Sequence, residues 1–214
     1  MQTLFKTLIA CSLISATGLA LAASTAELKV IGTIIPGSCT PTFAGGGTVD
    51  YGKISVGDLS PTTPTTLAKK TIGYTIACDA AIKIGTVWVD GRNTSAFDIP
   101  SIAAVQEFGL GLQGANKIGA YQLSQAPGSA TADGAAVALI SSTDKGVTWK
   151  AATGEIEHSD ALQSYAATGT TVPKAYQNYT GSISVQATIA PTSSFTTSAD
   201  VKLDGLATLE VRYL

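Results

Sequence analysis

The sequence is short of the residues that do chemistry. Its 214 positions hold one histidine (His158), two arginines (Arg92 and Arg212) and one methionine. Charged residues make up only 13%, and 13 Lys+Arg against 15 Asp+Glu leave a net charge of −2. A chain without a basic excess has no footprint for gripping nucleic acid. Neither a G-x-S-x-G elbow nor a glycine-rich phosphate cradle occurs, so hydrolase and nucleotide-binding readings lack an anchor. The inventory implies no cofactor, no metal site and no catalytic activity. Apolar runs at helical period are scarce too; only Ser101–Phe108 and Asp160–Ala167 read as a helical turn or two. Disorder is excluded in turn, because 45% of residues are hydrophobic and the charge is low. One globular domain of moderate size fits the length.

The first 22 residues read as a secretory signal. Lys6 supplies the positive start, Leu8 to Leu21 is uncharged and rich in Leu, Ile and Ala, and Ala20-Leu21-Ala22 gives a small-x-small cleavage pattern. The apolar stretch is short for a membrane span and is diluted by Ser, Thr and Gly. Cys11 lies well inside that stretch, which places it as a small apolar residue of the signal and not as a lipidation site. Cleavage leaves 192 residues from Ala23, with a net charge of −3. It also leaves two cysteines, Cys39 and Cys78, an even pair in an exported chain, where an oxidising compartment favours a disulfide. A bridge there closes a loop of about 40 residues, worth roughly 3 to 4.7 kcal/mol on the chain-entropy account. A metal site is a poor alternative, since two isolated Cys lack two further ligands and His158 is far away in sequence.

What the sequence has in quantity is period two. Ile72, Tyr74, Ile76 and Cys78 share one face, and Ile82, Ile84 and Trp88 continue the pattern after an Asp79-Ala80-Ala81 connection. Ile183, Val185, Ala187 and Ile189 alternate with Ser182, Ser184, Gln186 and Thr188, and Leu209, Val211 and Tyr213 alternate with Thr208, Glu210 and Arg212. Shorter strand candidates lie near Thr48–Ile54, Phe108–Leu112, Lys117–Leu123 and Ala135–Ser141. Gly45-Gly46-Gly47, Asp90-Gly91, Pro127-Gly128, Asp133-Gly134 and Asp204-Gly205 punctuate them as turns. Many strands without βαβ alternation predict an all-β antiparallel sandwich or barrel.

The mature start carries its own stripe. Ala26, Leu28, Val30, Gly32 and Ile34 fall on one face, with Glu27, Lys29 and Thr33 on the other, and Pro36-Gly37 separates them from the next strand. This run reads either as an ordinary first strand or as a strand meant for another molecule's sheet. Val30-Ile31-Gly32-Thr33-Ile34-Ile35-Pro36-Gly37-Ser38-Cys39 resembles the N-terminal extension and first cysteine of chaperone–usher fimbrial subunits. Cys78, closing the Ile72–Cys78 run, sits where that family places its second cysteine. Leu206 to Leu214 resembles the pilin C-terminal strand, with an aromatic penultimate residue. More closely, the mature chain is similar to a group of fimbria-like proteins known as a domain of unknown function. Gly46-Gly47-Thr48-Val49-Asp50-Tyr51-Gly52 and Phe108-Gly109-Leu110-Gly111-Leu112 carry that closer similarity.

The resemblance implies an immunoglobulin-like sandwich lacking its last strand, with a signal peptide at 1–22, a donor-strand extension at 23–35 and a pilin-like domain at 36–214. It implies Leu28, Val30, Gly32 and Ile34 as donor residues, and Leu209, Val211 and Tyr213 as the acceptor side of the groove. The implied partners are other fimbrial subunits, a periplasmic chaperone, an outer-membrane usher and a host or surface glycan. The implied destination is a cell-surface fimbrium reached through the periplasm. The chain is longer than a typical major pilin, and Leu214 replaces the usual polar terminal residue.

Two local motifs compete with this reading. Ser142-Thr143-Asp144-Lys145-Gly146-Val147-Thr148-Trp149 matches the S-x-D-x-G-x-T-W Asp box of sialidases, a hairpin-turn device and not a catalytic site. A sialidase site also needs three arginines, one more than this chain has. Glu155-Ile156-Glu157-His158-Ser159-Asp160 gathers four ionisable groups at a spacing that matches no ligand frame, so a solvated acidic loop is expected. The alternative function from another class is a monomeric secreted carbohydrate-binding sandwich stacking sugars on Trp88 or Trp149. An exported hydrolase ranks last for want of a nucleophile–base pair.

Overall fold

The computed structural model describes residues 26–33 and 37–214. The signal segment 1–22, with Cys11, lies outside them, as do residues 23–25, Ile34, Ile35 and Pro36. The chain divides into two units, residues 1–35 and 36–214. In the first, residues 26–33 carry no helix or strand.

The second unit is built from strands β1 (Cys39–Phe43), β2 (Thr65–Thr66), β3 (Lys70–Ile82), β4 (Ile84–Asp90), β5 (Phe108–Gly109), β6 (Leu112–Gln113) and β7 (Asn116–Lys117). It continues through β8 (Gly119–Ser124), β9 (Thr131–Ala132), β10 (Ala135–Ser142), β11 (Lys150–Ala151), β12 (Leu162–Ala167), β13 (Tyr176–Ile189) and β14 (Ala207–Tyr213). Among the described residues helix is confined to short 3₁₀ turns. Every pair of these strands is antiparallel; twelve form one sheet, eight of them in the order β1-β3-β13-β9-β10-β12-β4-β14 with β2, β5, β8 and β11 attached, while β6 and β7 pair as a separate ribbon. This is the all-β antiparallel sandwich that the alternation predicts.

The sheet doubles over at β10, whose first residues pair with β9 while Val137–Ser142 pair with β12. The two layers then face each other across one core. Ile76, Tyr179 and Ile183 from one layer pack in the same cluster as Ile84, Trp88, Leu139 and Tyr165 from the other. Fully burying one such aliphatic side chain stabilises the fold by about 1.5–3 kcal/mol. Tyr74 and Tyr165 join hydroxyls across the layers at 2.8 Å, and Gln125 donates to Tyr74 at 2.7 Å. These three buried polar groups are thus paired, as burial requires.

Long strands follow the alternation residue by residue. In β3, Tyr74, Ile76 and Cys78 are buried while Thr75, Ala77 and Asp79 are exposed. In β13 the ladder slips between Tyr176 and Asn178, where the Asp133 carboxylate accepts the amides of Gln177 and Asn178. That bulge needs an acceptor for its unpaired amides, and Asp133 provides one from a left-handed turn (φ 48°).

Four expectations are corrected. The Asp79-Ala80-Ala81 connection belongs to β3, which runs to Ile82 because Tyr176 pairs with Ile82. Thr48–Ile54 is not a strand. Its Tyr51 hydroxyl instead donates to Val185 O and accepts from Ala187 N, so a side chain occupies backbone groups of β13 that a ladder would have taken. Phe108–Leu112 is broken by Gly111 at φ 97°, leaving β5 and β6 as separate pieces. Asp160–Ala167 is no helix: Leu162–Ala167 is a strand between β10 and β4, while Ser101–Phe108 keeps one 3₁₀ turn at Ala104–Gln106.

Candidate functional site: an apolar cleft at the open seam

A doubled-over sheet has two ends, and here they are β1 and β14. β14 pairs with β4 from Ala207–Asp90 to Tyr213–Ile84, and none of the described strands pairs with its other edge. Such an edge presents unpaired N–H and C=O groups. β1 is tied to the body by its ladder with β3 and by the Cys39–Cys78 disulfide, which links two directly paired residues with a Cα–Cα distance of 4.0 Å. The expected bridge is therefore present. Where β1 begins and β14 ends, the Cys39 amide donates to the Tyr213 hydroxyl at 3.0 Å.

At the opposite end of the same two strands the seam opens into a cleft of about 1180 Å³ that Phe43 and Ala207 border. Its floor is core: Ile72, Trp88, Leu123, Ile183 and Val185 are exposed to it from both layers. One wall is the extended stretch that follows Gly46, held by Tyr51 on β13 and by the Lys70 Nζ donating to Asp50 O at 2.6 Å. The other wall is the irregular segment from Phe195 to Gly205. Sequence reasoning missed this second wall, although Val201 and Leu203 alternate with Asp200, Lys202 and Asp204 in a way that marks a half-buried extended segment.

The sequence-predicted residues separate into groups. Leu209 is buried in the core, Val211 is half-buried against it, and Tyr213 is 55% exposed with its hydroxyl engaged by Cys39. The cleft itself meets β14 at Ala207. Leu28 and Val30 are 90% and 87% exposed, and a side chain added at Gly32 would meet nothing within 4 Å. Ile34 lies outside the described residues.

Trp88 is buried at the cleft floor, its ring 5.9 Å from that of Phe43. Trp149 is committed to the turn: its indole N–H donates to Gly146 O at 3.0 Å. Around it Ser142 Oγ donates to Asp144 at 2.7 Å, and Thr148 donates to the same carboxylate from its amide at 2.9 Å and from its hydroxyl at 2.5 Å. These bonds hold the Asp144 carboxyl down to about 2, the Ser142 hydroxyl contributing most. The motif joins β10 to β11 as a hairpin turn, and Gly146 lies against Trp149, Leu162 and the C-terminal Leu214. His158 packs edge-on against Phe108 and bonds Ala104 O through Nε2, and no metal-binding cluster of His, Cys, Asp and Glu occurs among the described residues.

Comparison with known proteins places the chain in a family of unknown function. Protein GltF of Escherichia coli (strain K12) is 27% identical over 223 residues, covering 88% of each chain. A family described as "Protein of unknown function (DUF1120)" matches residues 28–137, just over half of the sequence, from the exposed N-terminal stripe through the first cleft wall and into β10. The chain belongs to this family of proteins of unknown function, DUF1120.

Proposed function

We propose that this protein is an exported structural subunit of a chaperone–usher type surface fimbria, joined to its neighbours by donor-strand exchange. In this reading residues 1–22 direct export, residues 23–35 of one copy add as a strand to the seam of the next, and residues 36–214 form the receiving sandwich. A periplasmic chaperone fills the seam first, and an outer-membrane usher organises the exchange. The observation that carries the reading is the unpaired edge of β14 together with the apolar-floored cleft that opens where β14 begins at Ala207, in a chain whose Leu28 and Val30 stand almost fully exposed. An extended strand with alternating apolar side chains satisfies both needs of that seam: its backbone pairs with the free edge and its side chains cover the floor. Glu27 and Lys29 then lie on the outward face of the added strand.

The test is the ladder of SDS-resistant oligomers in unheated samples. Deleting residues 23–33 is expected to leave a folded, disulfide-bonded subunit that accepts a strand but supplies none, so the ladder disappears. Gly32→Leu should do the same without disturbing the single chain, because nothing lies within 4 Å of the added side chain there. A full ladder from the deletion variant would sink the proposal.

A further inference from the structure

The cleft wall from Phe195 to Gly205 is held at its two ends and is loose between them. At one end Thr196 and the Gln113 amide exchange two hydrogen bonds of 2.6 Å. At the other, Asp204 N donates to Leu110 O at 2.9 Å, and the Arg92 guanidinium grips the Asp204 carboxylate at 2.9 Å. Gly205 follows with its backbone against the Tyr121 ring, where an added Cβ would come within 2.7 Å of the ring edge. Between these clamps, Thr197 to Leu203 make no hydrogen bond among the described residues. Yet Val201 and Leu203 turn inward and pack against the core cluster, while Asp200 and Lys202 are exposed.

This is the side-chain pattern of a strand without the ladder of one. A permanent wall gains from pairing its backbone, whereas a segment that must leave gains from keeping it unpaired and solvated. The ion pair of the second clamp is weak, for Arg92 and Asp204 are solvent-exposed and such pairs contribute little. We infer that residues 197–203 are a placeholder: Val201 and Leu203 cover part of the cleft floor in the free subunit and withdraw when an incoming strand takes their position. The inference rests on the donor-strand reading above and adds a gate to it.

A fluorescein-labelled peptide with the sequence of residues 26–35, added to the purified protein, reads the gate directly. Val201→Ser/Leu203→Ser removes the covering side chains, and Arg92→Gln loosens a clamp at the surface, away from the core. Val201→Ser/Leu203→Ser is expected to take up the peptide about tenfold faster than the unaltered chain, and Arg92→Gln about two- to fivefold faster, the most that loss of an exposed ion pair supplies. Circular dichroism confirms that each variant is folded, and Arg92→Gln alone decides the matter if the double variant is not. If the unaltered chain takes up the peptide and Arg92→Gln is no faster, or is slower, the segment supports the bound strand and the placeholder is refuted while the donor-strand reading stands. If no chain takes up the peptide, both fall together.

Discussion

Asp144 gathers Ser142 and Thr148 onto one exposed carboxylate, and the result is a local dependence on pH. Its acidity is raised by hydrogen bonds that only the folded turn makes, so the ionised form is the stabilising one. That contribution is complete above the ordinary carboxylate range and disappears as pH falls toward about 2. Asp144→Asn should therefore melt below the unaltered protein at pH 6, with the gap closing between pH 4 and pH 2 in a thermal melt. A gap unchanged down to pH 2 would mean that the charge is not what holds the turn. This motif was fully legible in the sequence because all of its partners lie within eight consecutive positions. Tyr51 was not. Its hydroxyl bonds residues 134 and 136 positions away, and no local pattern announces such a partner.

Among elements, β1 depends on the bridge at its first residue. It sits at one end of the sheet order, with β3 as its strand partner, and the disulfide joins Cys39 to the residue it faces. Replacing both cysteines by alanine is expected to lower unfolding free energy by about 3 to 4.7 kcal/mol on the chain-entropy account, measured by urea denaturation. A loss under ~1 kcal/mol would show that the ladder alone keeps β1 in place. Strands β3, β13 and β14 were legible because each buries one face, which forces strict alternation into the sequence. β12 was not, since Leu162, Tyr165 and Ala166 also fit the i, i+3, i+4 spacing of a helix. Pairing with β10 on one side and β4 on the other decides for strand. The cleft was legible only in part: the alternating ends pointed to a seam, but the covering segment between Phe195 and Gly205 has a short alternation and no backbone partners of a strand.

For the molecule as a whole, tyrosines hold the two layers together. Tyr165 stacks on Tyr179 with ring centroids 4.7 Å apart and shares its hydroxyl with Tyr74. Burial makes each reluctant to ionise, raising Tyr165 well above the usual tyrosine range and Tyr179 to about 12. A raised pKa in the fold means that the neutral phenol is favoured there, so this share of stability is full below pH 10 and is lost as pH climbs past it. In a 295 nm absorbance titration the buried members of the seven tyrosines should ionise only with unfolding, as one cooperative step above pH 10. Seven tyrosines ionising together near pH 10 with the circular dichroism unchanged would contradict this packing.

The bond between the Cys39 amide and the Tyr213 hydroxyl spans 174 positions of sequence. It joins the first strand of the sandwich to the last residue of β14. A polypeptide delivered from its N-terminus can form β1, β3 and their bridge early, but it cannot bring the seam's two sides together until β14 arrives. Loop closure over such a distance is slow, and exposed edges wait in the meantime. The time between delivery of β3 and delivery of β14 is therefore the interval in which the half-built sandwich needs protection.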